Sequence, residues 1–403
     1  MAAPARHSRA EKGIRSGSVL LNDIALDHSD CMLYLACHSD RQSLASDIAT
    51  PRTREMDLHI LKSRLQAHLG DGLVTIVGSG VSCAEGLPGM GELADYLLAN
   101  VGHGLSDADA ASWSAASQLI STKGLEAALL AAPPTPQLEA SISAATGRLI
   151  SERERTVVSE VFTGKRKLRL TRLLMHLVKP AAGMTIVTTN YDRLVEIAAE
   201  EADIGADTMF IGRFAGQLNE RESQMSFCRA ATVKPRRAAV SLQYRPRALI
   251  CKPHGSLDWY LRAGRPVCYG GDLPDAVRLI ITPGQNKFRN GYESPFDLHR
   301  ARANEAIDRA GRYLILGYGF NDDHLETHLT PGIKSGKPTL MLTRSLSAVA
   351  RQMALMHANV IAIEHSIVGG VAGTAVIAEQ KEFFFPDIGI WDVDSFVTEV
   401  LEP

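Results

Sequence analysis

The chain has 403 residues, 45% of them hydrophobic, enough to bury one large core or two modest ones. Its 43 Lys and Arg stand against 45 Asp and Glu, so no global field favours a polyanion or an anionic membrane surface. The six cysteines, Cys31, Cys37, Cys83, Cys228, Cys251 and Cys268, form no C-x-x-C pair, which argues against a disulfide framework and a zinc module and fits a reducing cytosol.

Residues 1–55 mix Ser, Asp, His and Ala without sustained periodicity and are expected to form a poorly ordered arm. There is no apolar signal segment, and nowhere do about 18 uncharged apolar residues run together, so a cytoplasmic location without a membrane span is expected. Leu58, Ile60, Leu61, Leu65 and Leu69 give an amphipathic stretch after Met56, an alternative start of the folded part.

Short apolar runs then recur at Leu73–Val77, Thr185–Thr188, Ala248–Cys251, Arg278–Thr282, Tyr313–Gly317, Thr339–Thr343 and Val360–Ile363. Continuous apolar strands are buried on both faces, and helical patterns between them imply crossovers. The expected fold is α/β, a doubly wound, mostly parallel, Rossmann-like sheet. Residues 83–183 are too long for one crossover helix and predict an inserted helical subdomain, broken at Pro133, Pro134 and Pro136. A second insertion, 203–247, is rich in Arg. Its Lys234–Arg237 cluster, like Lys165–Lys167, is read as a solvated face, and direct nucleic-acid binding is not expected.

Four segments carry chemistry, each at the end of an expected strand. Gly78-Ser79-Gly80-Val81-Ser82, followed by Gly86-Leu87-Pro88, is either a phosphate cradle or an ordinary tight turn. Thr188-Thr189-Asn190-Tyr191-Asp192 puts Asn190 and Asp192 at a carboxyl strand edge, where open α/β sheets bind ligands; Asp192 serves equally well as a helix cap. Lys252-Pro253-His254-Gly255-Ser256 presents a histidine in a constrained backbone, a candidate general base. Gly317-Tyr318-Gly319-Phe320-Asn321-Asp322 offers acceptors for a ribose, or a plain N-capped turn. There is no G-x-S-x-G elbow, and Cys83, Cys251 and Cys268 read as small apolar fillers.

In this order the four segments resemble the sirtuin family, whose core reads Gly-Ala-Gly-x-Ser, Gly-Ile-Pro, Thr-Gln-Asn-x-Asp and His-Gly. Thr189–Asp192, Lys252–Trp259 and Gly317–His324 are similar to the sirtuin-like NAD hydrolases of bacterial anti-phage defence systems. Two departures stand out: Gly86-Leu87-Pro88 continues as Gly89-Met90-Gly91 rather than Asp-Phe-Arg, and Gly255–Ile281 holds only Cys268 where deacetylases carry a four-cysteine zinc ribbon.

The resemblance implies a sirtuin-like NAD-binding catalytic domain over 56–403. Asn190 would hold the ribose or the attacking water, His254 would act as base, and Asp192 would orient nicotinamide or ribose. Gly78, Ser79, Gly80, Ser82, Thr189, Gly317, Tyr318, Gly319 and Asn321 would bind the dinucleotide, without zinc or another metal. The implied activity is hydrolysis of NAD⁺ to nicotinamide and ADP-ribose by a homo-oligomeric defence effector that depletes NAD, with a HerA-like ATPase or another defence protein as partner. An NAD-dependent protein deacylase and a non-catalytic nucleotide-sensing module are the alternatives.

Overall fold

The structure, a computed structural model, describes residues 56–402 apart from 213, 235–236, 274 and 284–292. The arm expected over 1–55 lies outside the described residues.

The amphipathic stretch after Met56 is helix α1 (Leu58–His68), capped by the Asp57 carboxylate on the His59 amide. Strand β1 (Leu73–Val77) leads into the short α2 (Ser79–Ala84). Helices α3 (Met90–Asn100), α4 (Asp107–Lys123), α5 (Leu125–Ala131) and α6 (Pro136–Phe162) follow, with Pro133 and Pro134 between the last two. Then come α7 (Arg169–His176), β2 (Met184–Thr188), α8 (Leu194–Glu201) and the short β3 (Gly205–Asp207), β4 (Phe210–Ile211) and β5 (Gly216–Leu218). Helix α9 (Glu220–Ser226) precedes a hairpin of β6 (Cys228–Lys234) and β7 (Arg237–Tyr244). Strands β8 (Arg247–Cys251), β9 (Gly255–Arg262), β10 (Arg265–Cys268) and β11 (Arg278–Ile280) complete the middle of the chain.

The last third alternates α10 (Phe296–Arg309), β12 (Arg312–Leu316), α11 (Asp323–Lys334), β13 (Thr339–Leu342) and α12 (Ala348–Met356). It ends in β14 (Val360–Val368), β15 (Val371–Ala378), β16 (Lys381–Pro386) and the turn α13 (Val393–Phe396).

Nine strands form the central sheet in the order β16-β15-β14-β13-β12-β1-β2-β8-β3. From β14 to β3 every pair is parallel; β15 and β16 extend the sheet by antiparallel pairing. Successive strand residues point to opposite faces. Val77, Ile186, Ile250 and Leu314 therefore pack with α1, α7, α8 and α13, while Ile76, Val187, Cys251 and Ile315 pack with α10, α11 and α12. Helices on both faces of a mostly parallel sheet make the fold doubly wound.

One expected strand lies elsewhere. The run Arg278–Thr282 supplies β11, but β11 pairs antiparallel with β9 in a separate sheet of order β11-β9-β10-β5-β4. The cause is the connection: β9 turns into β10 through Ala263 and Gly264, both at positive φ, and the described residues of 269–277 hold no helix. A parallel return needs a crossover of about a dozen residues or more.

Between β1 and β2 the helices divide. Leu93, Leu97, Trp113, Ile120, Leu129, Leu138 and Ile142 give α3, α4, α5 and the first half of α6 a core of their own. Val157 and Val161 late in α6, and Leu170, Leu173 and Leu174 in α7, join the core of the sheet. Helix α6 thus runs from one core into the other.

Candidate active site

Strands β12, β1, β2 and β8 are neighbours in the sheet, so their carboxyl ends bring the four chemistry-bearing loops to one edge. There a cleft of about 180 Å³ opens between these loops and helices α3 and α6, whose Met90, Leu93 and Ile150 form an apolar wall.

The two glycine turns lean on each other. The Gly78 amide bonds the Leu316 carbonyl at 2.9 Å and the Gly80 amide bonds the Gly317 carbonyl at 3.0 Å. A Cβ on Gly78 would fall 2.5 Å from the Tyr318 Cα, one on Gly80 would fall 2.8 Å from the Gly317 Cα, and one on Gly317 would fall 2.7 Å from the Val81 nitrogen. Gly317 also has φ of 56°, a conformation that favours glycine. Mutual packing alone therefore requires these three glycines.

The next loop holds a chain of polar groups. The Asn190 side-chain amide donates to the Gly78 carbonyl at 3.0 Å and to Ser82 Oγ at 2.8 Å, and Ser82 Oγ donates to Asp192 Oδ2 at 2.7 Å. A carbonyl only accepts, which fixes the amide's orientation. Asn190 Oδ1 makes no hydrogen bond among the described residues, and Asn190 lines the cleft. Asp192 Oδ1 accepts the Leu194 amide at 3.1 Å, a cap on α8, so the carboxylate has both a capping task and a place in the site. Burial pushes this carboxyl above the usual range, against the opposing pull of the Lys252 charge and the Ser82 hydroxyl.

His254 comes from the turn after β8. Its Nε2 lies 2.6 Å from Asp322 Oδ2. A carboxylate partner places the proton on Nε2 and leaves Nδ1 with the lone pair. Asp322 is itself held, because its Oδ1 caps α11 through the amides of His324 and Leu325. Both residues line the cleft and are largely buried.

Behind these groups lies a supporting layer. Lys252, wholly buried, donates to the Asp192 carbonyl at 2.5 Å and to Glu196 Oε1 at 2.9 Å. Burial alone would depress this ammonium; Glu196 and Asp192 more than offset it and hold it charged. The Tyr191 carbonyl accepts the Leu257 amide at 2.9 Å, so the histidine segment clasps the asparagine segment. The Lys252 amide donates to His299 Nδ1 at 3.1 Å, and burial, followed by the Lys252 charge, holds that imidazole down to about 3.

Of the residues singled out in the sequence, Ser79, Ser82, Thr189, Asn190, Asp192, His254, Tyr318, Gly319 and Asn321 line the cleft. Gly78, Gly80 and Gly317 sit in the packed turns. The structure adds Asp322, Lys252 and Glu154, whose carboxylate meets Arg193 beside Asp192. Asp322 and Lys252 stand inside motifs already quoted, while Glu154 carries no local signal. Cys251 is buried in the core, and burial pushes its thiol up, away from nucleophilic use. Among the described residues no group of three His, Cys, Asp or Glu side chains is placed to hold a metal ion, and no helix is long and apolar enough to cross a membrane.

Known proteins bear on this arrangement as follows. Residues 184–359 match a model of the SIR2-like domain. No curated protein matches the chain. Similar solved structures include a sirtuin from work on sirtuin substrate affinity, with 12% identity, a TM-score of 0.40, and coverage of 86% of this chain and 99% of the other. Sir2Tm bound to a propionylated peptide is 13% identical, with a TM-score of 0.39, covering 84% and 97%. A Sir2 mutant with a p53 peptide and NAD is 13% identical, with a TM-score of 0.35, covering 85% and 97%. The stretch similar to the SIR2-like domain, 184–359, is the part of the chain that holds Asn190, Asp192, His254 and Asp322.

Proposed function

We propose that the chain is an NAD⁺ hydrolase that releases nicotinamide and ADP-ribose. The observation that carries this reading is that one cleft receives two acceptors whose partner atoms are already committed: Asn190 Oδ1, with its amide nitrogen on Gly78 and Ser82, and His254 Nδ1, with Nε2 on Asp322. The SIR2-like match over 184–359 supports a dinucleotide as the substrate.

Cleaving the nicotinamide–ribose bond needs little acid help, because the pyridinium departs as a neutral base with the bonding electron pair. The difficulty lies in the cation-like ribose and in supplying water. Asn190 Oδ1 accepts from that water or from a ribose hydroxyl. As the water oxygen bonds the anomeric carbon and the C–N bond breaks, His254 Nδ1 takes the water's proton and later returns it to solvent. The carboxylate of Asp322 steadies the imidazolium formed in between. Asp192, also on the cleft lining, would orient nicotinamide or ribose, and Leu87, Met90 and Ile150 give the same cleft its apolar part.

The test is chromatographic release of nicotinamide and ADP-ribose from NAD⁺ without any acylated peptide. Asn190→Ala and His254→Ala should each fold, melt somewhat lower for the loss of a buried partner, and lower turnover by roughly 10²-fold or more. Near-wild-type release by folded His254→Ala overturns the mechanism. Product that appears only with an acyl-lysine peptide makes the chain a deacylase, and binding without any product makes it a nucleotide sensor. On the same reading the chain is an NAD-depleting effector of anti-phage defence, homo-oligomeric and cytoplasmic, joined by a HerA-like ATPase or a comparable defence protein. Full activity as a dilute monomer that leaves growing cells unharmed removes that role.

A further inference from the structure

Helix α6 meets the site in two successive turns, once at the cleft wall and once at the loop behind it. Ile150 contributes to the apolar wall, and four residues on, the same face presents Glu154 to the loop after β2. Glu154 is fully buried, and both its oxygens are used on Arg193. The Arg193 backbone amide donates to Oε1 at 2.5 Å, its Nε to Oε2 at 3.0 Å, and one terminal nitrogen to Oε2 at 2.5 Å. The other terminal nitrogen takes the Gly270 carbonyl at 2.7 Å, so the guanidinium is held on two sides. Arg193 directly follows Asp192, and the bond to its main-chain amide fixes backbone rather than only a side chain.

We propose that Glu154 is a positioning residue for the cleft: through Arg193 it fixes the main chain that carries Asn190 and Asp192, so helix α6 sets the geometry of the reacting loop. The assignment rests on the hydrolase reading above. Nothing in the other supports replaces this contact. Lys252 grips the carbonyls of the same loop from the sheet side, while Glu154 is the grip from the helical side. Misplacing a reacting group by about 1 Å costs on the order of 10²-fold in rate, so release of one grip is expected to act on turnover before it acts on substrate binding.

The experiment compares Glu154→Ala, the double variant Glu154→Ala with Arg193→Ala, and Glu154→Gln. It measures melting, kcat and KM for NAD⁺ cleavage, and amide hydrogen exchange at 190–194. The single alanine variant leaves the half-buried Arg193 guanidinium and main-chain amide without their carboxylate and should melt lower. The double variant should regain most of that stability, yet keep kcat at least tenfold below wild type with KM within about twofold, and exchange faster at 190–194. Glu154→Gln retains an oxygen for the Arg193 main-chain amide but sets its NH₂ against the guanidinium's donors; it should melt below wild type, with kcat between wild type and the double variant. Wild-type kcat and wild-type exchange in either the double or the Gln variant overturn the assignment. If the wild-type chain releases no nicotinamide, the hydrolase reading falls, while exchange at 190–194 still decides whether Glu154 holds the loop.

Discussion

The glycine turns after β1 and β12 and the polar loops after β2 and β8 meet at the same sheet edge, yet they are built on opposite terms. Each turn is what it is because of the other, since backbone touches backbone at Gly78, Gly80 and Gly317 with no room for a Cβ. Each polar loop is a set of hydrogen-bonded side chains whose remaining acceptors belong to the cleft. A glycine-rich signature thus marks where two loops are pressed together, and on the proposed reading the chemistry falls to their polar neighbours. The turns tolerate no side chain, whereas the loops tolerate removal of a side chain at the expense of reaction rate.

The largest effect is expected at the turns. Gly78→Ala drives a Cβ into the Gly317 carbonyl and the Tyr318 Cα, backbone against backbone, and should abolish cooperative melting. A well-folded, active Gly78→Ala protein would break the comparison. Next comes Asp322→Asn, which keeps a good cap for α11 but puts an amide donor against His254 Nε2 and so moves the ring proton to Nδ1. NAD⁺ cleavage should fall by about 10²-fold or more at nearly unchanged melting temperature; full activity would show that the ring's tautomer is immaterial.

Acidification should separate the two regions without any mutation. The His299 value of about 3 lies below the ordinary 6.5, so the stability it confers is complete above pH 6.5 and is lost as pH falls from there toward 3. At pH 5 the loss is about 2 kcal/mol, and His68, also lowered by burial, adds in the same direction. Protonating His299 Nδ1 removes the acceptor for the Lys252 amide, so hydrogen exchange should rise at 252–256 before it rises at Gly78 and Gly80. The reverse order would contradict the picture of loops held by side chains. The smallest effect is Ser82→Ala, which interrupts the link between Asn190 and Asp192 and should lower turnover by roughly tenfold, with about 1–3 kcal/mol of stability lost for a buried carboxylate short of one donor.

Much of this edge was readable from the chain itself. The apolar runs at Leu73–Val77 and Thr185–Thr188 have the composition of strands buried on both faces, and β1 and β2 occupy them. The helical pattern after Met56 is α1. What was illegible is pairing. Nothing local in Arg278–Thr282 reveals that its partner is β9, because the outcome depends on the missing crossover before it. The extension by β15 and β16 depends on the Gly369-Gly370 turn that folds β15 back on β14. In the site, Asn190 and His254 stood out because they follow expected strands at the edge where open α/β sheets bind ligands, the histidine in a backbone constrained by Pro253 and Gly255. Asp322 looked like an ordinary cap, which it also is, and Glu154 like any acid on a long helix. Their second tasks exist only once distant segments meet.

The order of strands in the sheet also sets a schedule. β1 ends at Val77, but the turn that follows it is completed by residues 316–318, far later in the chain, and the carboxylate beside His254 comes later still. At about 5–20 residues per second, synthesis keeps these pieces apart for on the order of ten seconds or more. A partly made chain has the asparagine before it has the histidine, and the histidine before it has Asp322. The cleft is therefore incomplete until Asp322 has been translated.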